Sequence, residues 1–135
     1  MNFEDKEYLV LSGGGSKGWV TLGVLDYLRD QRKLKNIKGI SATSVGAIIA
    51  LLYISNNVDL CKTFMFEEII SDKDFDISSL FLKFGFNDGM KIQDGIERIL
   101  EEVYNVKNCT MKQIYELSGI DLNISCTNLT KGCLE

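Results

Sequence analysis

Apolar residues in this chain come in short blocks whose spacing changes from block to block, and each spacing predicts a different element. Tyr8 to Ser12 is a brief apolar run stopped by glycines, the form of a buried strand. Beyond Trp19, apolar residues recur at Val20, Val24, Tyr27 and Leu28, with Leu25 widening the stripe, while Asp26, Arg29, Asp30 and Arg32 fill the other side. That spacing predicts a helix to about Leu34, packed on a sheet, with Gly23 as a weak point inside it. A second strand is expected over Ile37 to Ala42. Val45 to Ser55 is apolar on every side, the mark of a helix buried all round. Strand, glycine turn, helix, strand, sharp turn, helix is the order of a parallel sheet with crossover helices.

The later pattern is less regular. Asp59 to Ile70 is compatible with one helix, and Phe75 to Phe86 is rich in phenylalanine and runs into the turn cluster Gly85-Phe86-Asn87-Asp88-Gly89. Met90, Ile92, Ile96, Ile99, Leu100 and Val103 outline an amphipathic helix. Thr110 and Gln113 have capping-box spacing, so a short helix starts there and stops at Gly119. Leu122 to Cys126 reads as a further strand. The Phe75, Phe81, Phe84 and Phe86 cluster is read as core packing before a membrane-facing flap, because buried aromatics dominate core energetics.

Bulk properties bound the possibilities. The 135 residues, 45% of them hydrophobic, suffice for one core and are short for two, so a single domain over 1–135 is expected. A net charge of −4 argues against nucleic acid as a partner. The acidic start, Met1 to Glu7, lacks the order of a secretory signal, and Val45 to Ile54 falls far short of the ~20 residues of a membrane span. The expected setting is cytoplasmic, with peripheral contact at membranes left open. Cys61, Cys109, Cys126 and Cys133 form no C-x-x-C pair, and with no histidine in the chain they are expected to be free, mostly buried thiols with no metal.

Candidate chemistry lies at the ends of the first two strands. Gly13, Gly14 and Gly15 at a helix entrance leave backbone N–H groups bare, and such donors stabilise a developing oxyanion by about 3 kcal/mol each. The N-terminus of the following helix adds positive partial charge. Ser44 stands where a strand turns sharply into a helix, with Ala42 two residues before it and Gly46 two after, as a nucleophile elbow requires. Alanine replaces the first glycine of G-x-S-x-G. The Val45 N–H, directly after Ser44, is a further oxyanion donor. With no histidine, a Ser-His-Asp triad is excluded.

Gly13-x-Gly15-x-x-Gly18 also satisfies a dinucleotide fingerprint, but that reading wants a carboxylate at the end of the second strand, and Ile40-Ser41-Ala42-Thr43-Ser44 has none. Lys17 is a solvated loop lysine or a contact for a lipid phosphate.

With these residues placed, the chain resembles the patatin-like phospholipase family. Gly13-Gly14-Gly15-Ser16-Lys17-Gly18 is similar to its glycine-rich loop, and Ala42-Thr43-Ser44-Val45-Gly46-Ala47 to its elbow, apart from the first alanine. The resemblance implies an α/β fold, a three-layer α/β/α sandwich with a mainly parallel sheet. It also implies hydrolysis of lipid acyl esters without a cofactor, through a Ser-Asp dyad whose aspartate sits in an Asp-Gly-Gly or Asp-Gly-Ala turn. Neither tripeptide occurs here. The only Asp-Gly pairs are Asp88-Gly89 and Asp94-Gly95, read as a turn and a helix-surface residue. The expectation is a chain that stops before the dyad aspartate and is weak or inactive alone. A non-catalytic remnant that binds lipid or a partner, and a dinucleotide-binding module, are the alternatives.

Overall fold

The computed structural model describes residues 5–56, 63 and 90–134. The expected helix over 59–70 and the phenylalanine-rich stretch with its turn lie outside these residues, except for isolated Thr63.

Strand β1 (Tyr8–Leu11) leads through a 3₁₀ turn (Gly15–Lys17) into α1 (Gly18–Asp30). Then come β2 (Gly39–Thr43), α2 (Val45–Ser55), α3 (Met90–Tyr104), α4 (Met111–Ser118) and β3 (Asp121–Ser125). A small hairpin of β4 (Thr127–Asn128) and β5 (Cys133–Leu134) follows. The main sheet has the order β1-β2-β3 and is parallel throughout, with Leu11 opposite Ala42 and Ala42 opposite Ile124. This is the expected α/β class with a parallel sheet.

Sheets buried on both faces read as continuous apolar runs, whereas β2 and β3 alternate, Gly-Ile-Ser-Ala-Thr and Asp-Leu-Asn-Ile-Ser. Burial follows the alternation. Leu11, Ile40, Ala42 and Leu122 are buried, with Leu9 and Ile124 packed beside them. Tyr8, Val10, Ser41, Thr43, Asp121, Asn123 and Ser125, on the opposite face, are exposed. Among the described residues, then, the core sits on one face of the sheet. Its centre is α2, whose Ile49, Ala50 and Leu52 are almost wholly buried, as an all-apolar helix requires. Ile99 and Leu100 of α3 and Ile114 of α4 complete the same cluster.

Helix α1 departs from expectation. Its buried residues are Gly18, Leu22 and Leu25, while Val20, Val24 and Tyr27 are 70%, 51% and 65% exposed. The helix carries apolar residues on two sides, and it turns the leucine side inward to pack on α2. It also ends at Asp30, four residues before Leu34, in a turn.

The remaining joints are hydrogen-bonded. Thr110 accepts from the Gln113 N–H at 3.3 Å while its own N–H donates to Gln113 Oε1 at 2.9 Å, the expected capping box, and Gly119 closes α4 in the left-handed conformation. The Tyr104 hydroxyl donates to the Ile54 carbonyl at 3.0 Å, tying the ends of α3 and α2 together. Burial pushes the Tyr104 and Tyr53 phenols up from their ordinary pKa. Ahead of β2, Lys38 is hydrogen-bonded to Glu7, which raises the lysine pKa.

The cysteines correct one expectation. Cys126 and Cys133 are exposed and Cys109 is half-buried; all three are free thiols, and burial pushes the Cys109 thiol up. Cys126 and Cys133, in a loop and the terminal hairpin, lie outside the core, while Cys109 packs against its edge. Cys61 lies outside the described residues.

Candidate active site

The site grows from the parallel register. Leu11 pairs with Ala42, so Gly13 and Ser44 are each two residues past the same rung of the ladder. A Cβ built on Gly13 would lie 3.1 Å from Ser44 Cβ and 3.7 Å from Ser44 Oγ. The glycine-rich loop and the serine, 31 positions apart, therefore meet at the carboxyl ends of neighbouring strands.

Ser44 is a bend between β2 and α2. Its φ is 53° and ψ −133°, a backbone conformation that L side chains rarely adopt. Such outliers cost on the order of 1–3 kcal/mol and persist only where the surroundings impose them. The imposition is visible at Gly46. A Cβ there would sit 2.5 Å from the Leu11 carbonyl oxygen and 2.8 Å from that of Ser12, so the first turn of α2 lies directly against the end of β1. Only a residue without a side chain permits that approach, and the approach forces the sharp exit from β2.

The strain has a chemical result. Serine at a helix N-cap ordinarily uses its hydroxyl to accept from the first-turn amides. Ser44 makes no such bond, and among the described residues its exposed Oγ has no hydrogen-bond partner. The Ser44 carbonyl accepts from the Ala47 N–H at 2.9 Å, and among the described residues the Val45 and Gly46 amides at the positive end of α2 have no partner. Val45 buries its side chain at this end.

On the other side, Gly15 has φ +53°, a left-handed position that suits glycine, and the Gly14 carbonyl accepts from the Lys17 N–H at 3.1 Å. Gly13, Gly14 and Gly15 are exposed, and so is Lys17; Gly18 is buried at the start of α1, and Ala42 is buried in the core. The loop, the elbow and the helix end thus form one surface of bare donors around an uncommitted hydroxyl. Of the other acidic positions considered, Asp94 is an exposed residue of α3 and makes no bond to Ser44, and Asp88 lies outside the described residues.

One neighbour had no signal in the sequence pattern. Thr43 pairs with Ser125 as the last rung of the ladder, so Ser44 and Cys126 are each the first residue past it, on the β3 side away from Gly13. Adjacent strands are about 4.8 Å apart, and the Cys126 thiol is exposed there. Register between distant strands is what puts it there, and hydrophobic periodicity carries no register.

The sequence model of the patatin-like phospholipase family matches residues 9–105, which hold most of β1, the glycine-rich loop and the elbow. The chain belongs to the patatin-like phospholipase family. A curated relative, an uncharacterised protein of Acanthamoeba polyphaga mimivirus, is 39% identical over 127 residues, which is 90% of this chain and 41% of the relative. Among solved structures, the type III effector protein ExoU matches with a TM-score of 0.51 at 23% identity, over 95% of this chain and 35% of that one. The patatin-like chain thus spans less than half the length of either. At 23% identity the likeness to ExoU shows the fold alone, and it extends past the family match to take in most of the chain.

Proposed function

We propose that this patatin-like chain carries the nucleophile and oxyanion donors of a lipid acyl hydrolase. The observation that carries the reading is the strained Ser44 elbow against the Gly13 loop, its hydroxyl without a partner among the described residues. In the proposed reaction, Ser44 Oγ adds to the carbonyl carbon of a lipid ester while its proton passes to a base. The carbonyl electron pair moves onto oxygen, where the amides of Gly13, Gly14, Gly15 and Val45 receive it. Collapse expels the alcohol, which takes up the proton, and leaves an acyl group on Ser44. Water then adds to that ester and releases the fatty acid with the serine restored.

The supporting geometry is one of preorganised donors, since among the described residues nothing caps the first amides of α2. The base is a carboxylate in this proposal, as the resemblance implies, and no described carboxylate is bonded to Ser44. With no Asp-Gly-Gly or Asp-Gly-Ala in the sequence to carry the dyad aspartate, turnover by the chain alone is expected to be weak, because oxyanion stabilisation without a base retains only a residual part of the rate. That same observation favours the second reading, a non-catalytic remnant that binds lipid through the same surface. The proposed setting is cytoplasmic, with the substrate taken from a membrane surface; among the described residues no helix is long and apolar enough to cross a membrane.

A fluorophosphonate probe separates the two. Phosphonylation of wild-type protein, located at Ser44 by peptide mass and absent from Ser44→Ala, supports the hydrolase. No adduct on folded wild-type protein between pH 6 and pH 10, or an equal adduct on Ser44→Ala, overturns it.

A further inference from the structure

A cavity of about 200 Å³ opens past the C-terminus of α1, and three of its four lining side chains are cationic: Arg29, Arg32 and Lys35, with Leu34 beneath them. This is a concentration of positive charge in a chain of net charge −4. The structure gives Arg29 two partners, Asp26 Oδ1 at 3.1 Å and Asn56 Oδ1 at 3.2 Å. Arg32 and Lys35 are exposed and make no ion pair among the described residues.

The backbone at Arg32 adds an independent observation. The helix ends with the Arg32 N–H donating to the Arg29 carbonyl at 2.8 Å and the Lys33 N–H to the Leu28 carbonyl at 2.9 Å. That pair of bonds closes the last turn around a left-handed residue, a position glycine usually fills. Here the left-handed residue is Arg32, with φ 54°. Glycine would close the same turn without strain, so the fold holds a guanidinium where the backbone alone favours no side chain. Complementing the helix dipole does not account for it, because Arg29, inside the last turn, already does so.

We propose that this cavity is an anion site that takes a phosphoryl group of a small soluble ligand. A guanidinium fork and an ammonium at the rim of one open cleft match phosphate oxygens, with Arg29 held in place by Asp26 and Asn56. A bilayer headgroup offers the same chemistry, but the cavity's position disfavours it. Arg29 reaches Asn56 at the C-terminal end of α2, while Ser44 stands at the N-terminal end, about 17 Å away along 11 helical residues. A membrane docked at the cavity would meet the end of α2 remote from Ser44.

The test titrates inorganic phosphate against the whole chain at constant ionic strength, balanced with chloride, and reads the melting temperature. The wild-type Tm rises by about 4 °C at ten times the dissociation constant. Lys35→Gln weakens phosphate at least 5-fold. Arg32→Gly raises the Tm in phosphate-free buffer, which shows that the variant is folded, and abolishes the phosphate-dependent rise. A wild-type rise no greater than with chloride, or a full rise retained in Arg32→Gly, overturns the proposal. In a parallel arm, Arg32-dependent sedimentation with phosphatidylglycerol vesicles without any response to inorganic phosphate overturns the soluble ligand.

Discussion

Gly46→Ala tests how the bend at Ser44 is made. An alanine Cβ would stand 2.5 Å from the Leu11 carbonyl oxygen, 2.8 Å from that of Ser12 and 2.9 Å from the Leu11 carbonyl carbon. All three are backbone atoms, so no rotamer relieves the contact. Reaching an ordinary separation of about 3.5 Å moves the first turn of α2 from the end of β1 by roughly 1 Å. Overpacking of this kind costs typically about 1–3 kcal/mol, and backbone on the receiving side puts Gly46 toward the upper end. Alanine returns at most about 1 kcal/mol of helix propensity. The net loss is about 2 kcal/mol, read as a fall in the urea midpoint by circular dichroism at unchanged slope. Gly23→Ala is the control, in a helix with nothing within 4 Å of the new Cβ, and gains about 1 kcal/mol. Because the same shift separates Ser44 from Gly13, fluorophosphonate capture should slow at least tenfold in Gly46→Ala and be unchanged in Gly23→Ala. A Gly46→Ala protein as stable as Gly23→Ala would refute the close approach and, with it, this origin of the elbow.

Ser44→Gly should raise the unfolding free energy by about 1 kcal/mol by relieving the positive φ, while Ser44→Ala, which keeps its Cβ, gains nothing; denaturant melts of both variants check this. Alkylation of Cys126 with a bulky maleimide should slow probe capture at Ser44, and the Cys126→Ser protein, treated alike, should keep its rate. Leu52→Ala, at a site 1% exposed, should cost about 2–5 kcal/mol in the same melts. Tyr53 and Tyr104 donate to the Leu34 and Ile54 carbonyls, and burial raises both pKa values above the ordinary 10.0. Their native state favours the protonated phenol, so their contribution is complete below pH 10 and is lost as pH rises through the raised values. Stability measured from pH 9 upward should therefore fall, and less steeply in a Tyr53→Phe, Tyr104→Phe double variant.

What the sequence disclosed was local. Glycine after an apolar run, and Thr43-Ser44-Val45-Gly46 after another, mark a loop and an elbow because few residue types tolerate those backbones. The runs Ile37 to Ala42 and Leu122 to Cys126 mark strands that the structure bounds at Gly39–Thr43 and Asp121–Ser125. The all-apolar stretch 45–55 marks the helix at the centre of the core. The inward side of α1 was not legible, because Val20, Val24 and Tyr27 repeat with the helical period just as Leu22 and Leu25 do, and periodicity finds a stripe without saying which stripe is covered. The shared position of Ser44 and Cys126 past the last rung of the ladder, and the cationic cavity past the end of α1, depend on register and on a turn closed around Arg32. Both are set by the assembled sheet and helices. The resemblance supplied the dyad, and its aspartate is visible neither in the tripeptides of the chain nor among the described partners of Ser44.

The central claim is that the glycine loop and the elbow make one oxyanion site, and the structure of the Ser44 phosphonate adduct tests it most directly. The account expects the phosphoryl oxygen within about 2.7–3.1 Å of at least two amide nitrogens among Gly13, Gly14, Gly15 and Val45. A well-ordered adduct whose oxygen meets none of them would contradict it.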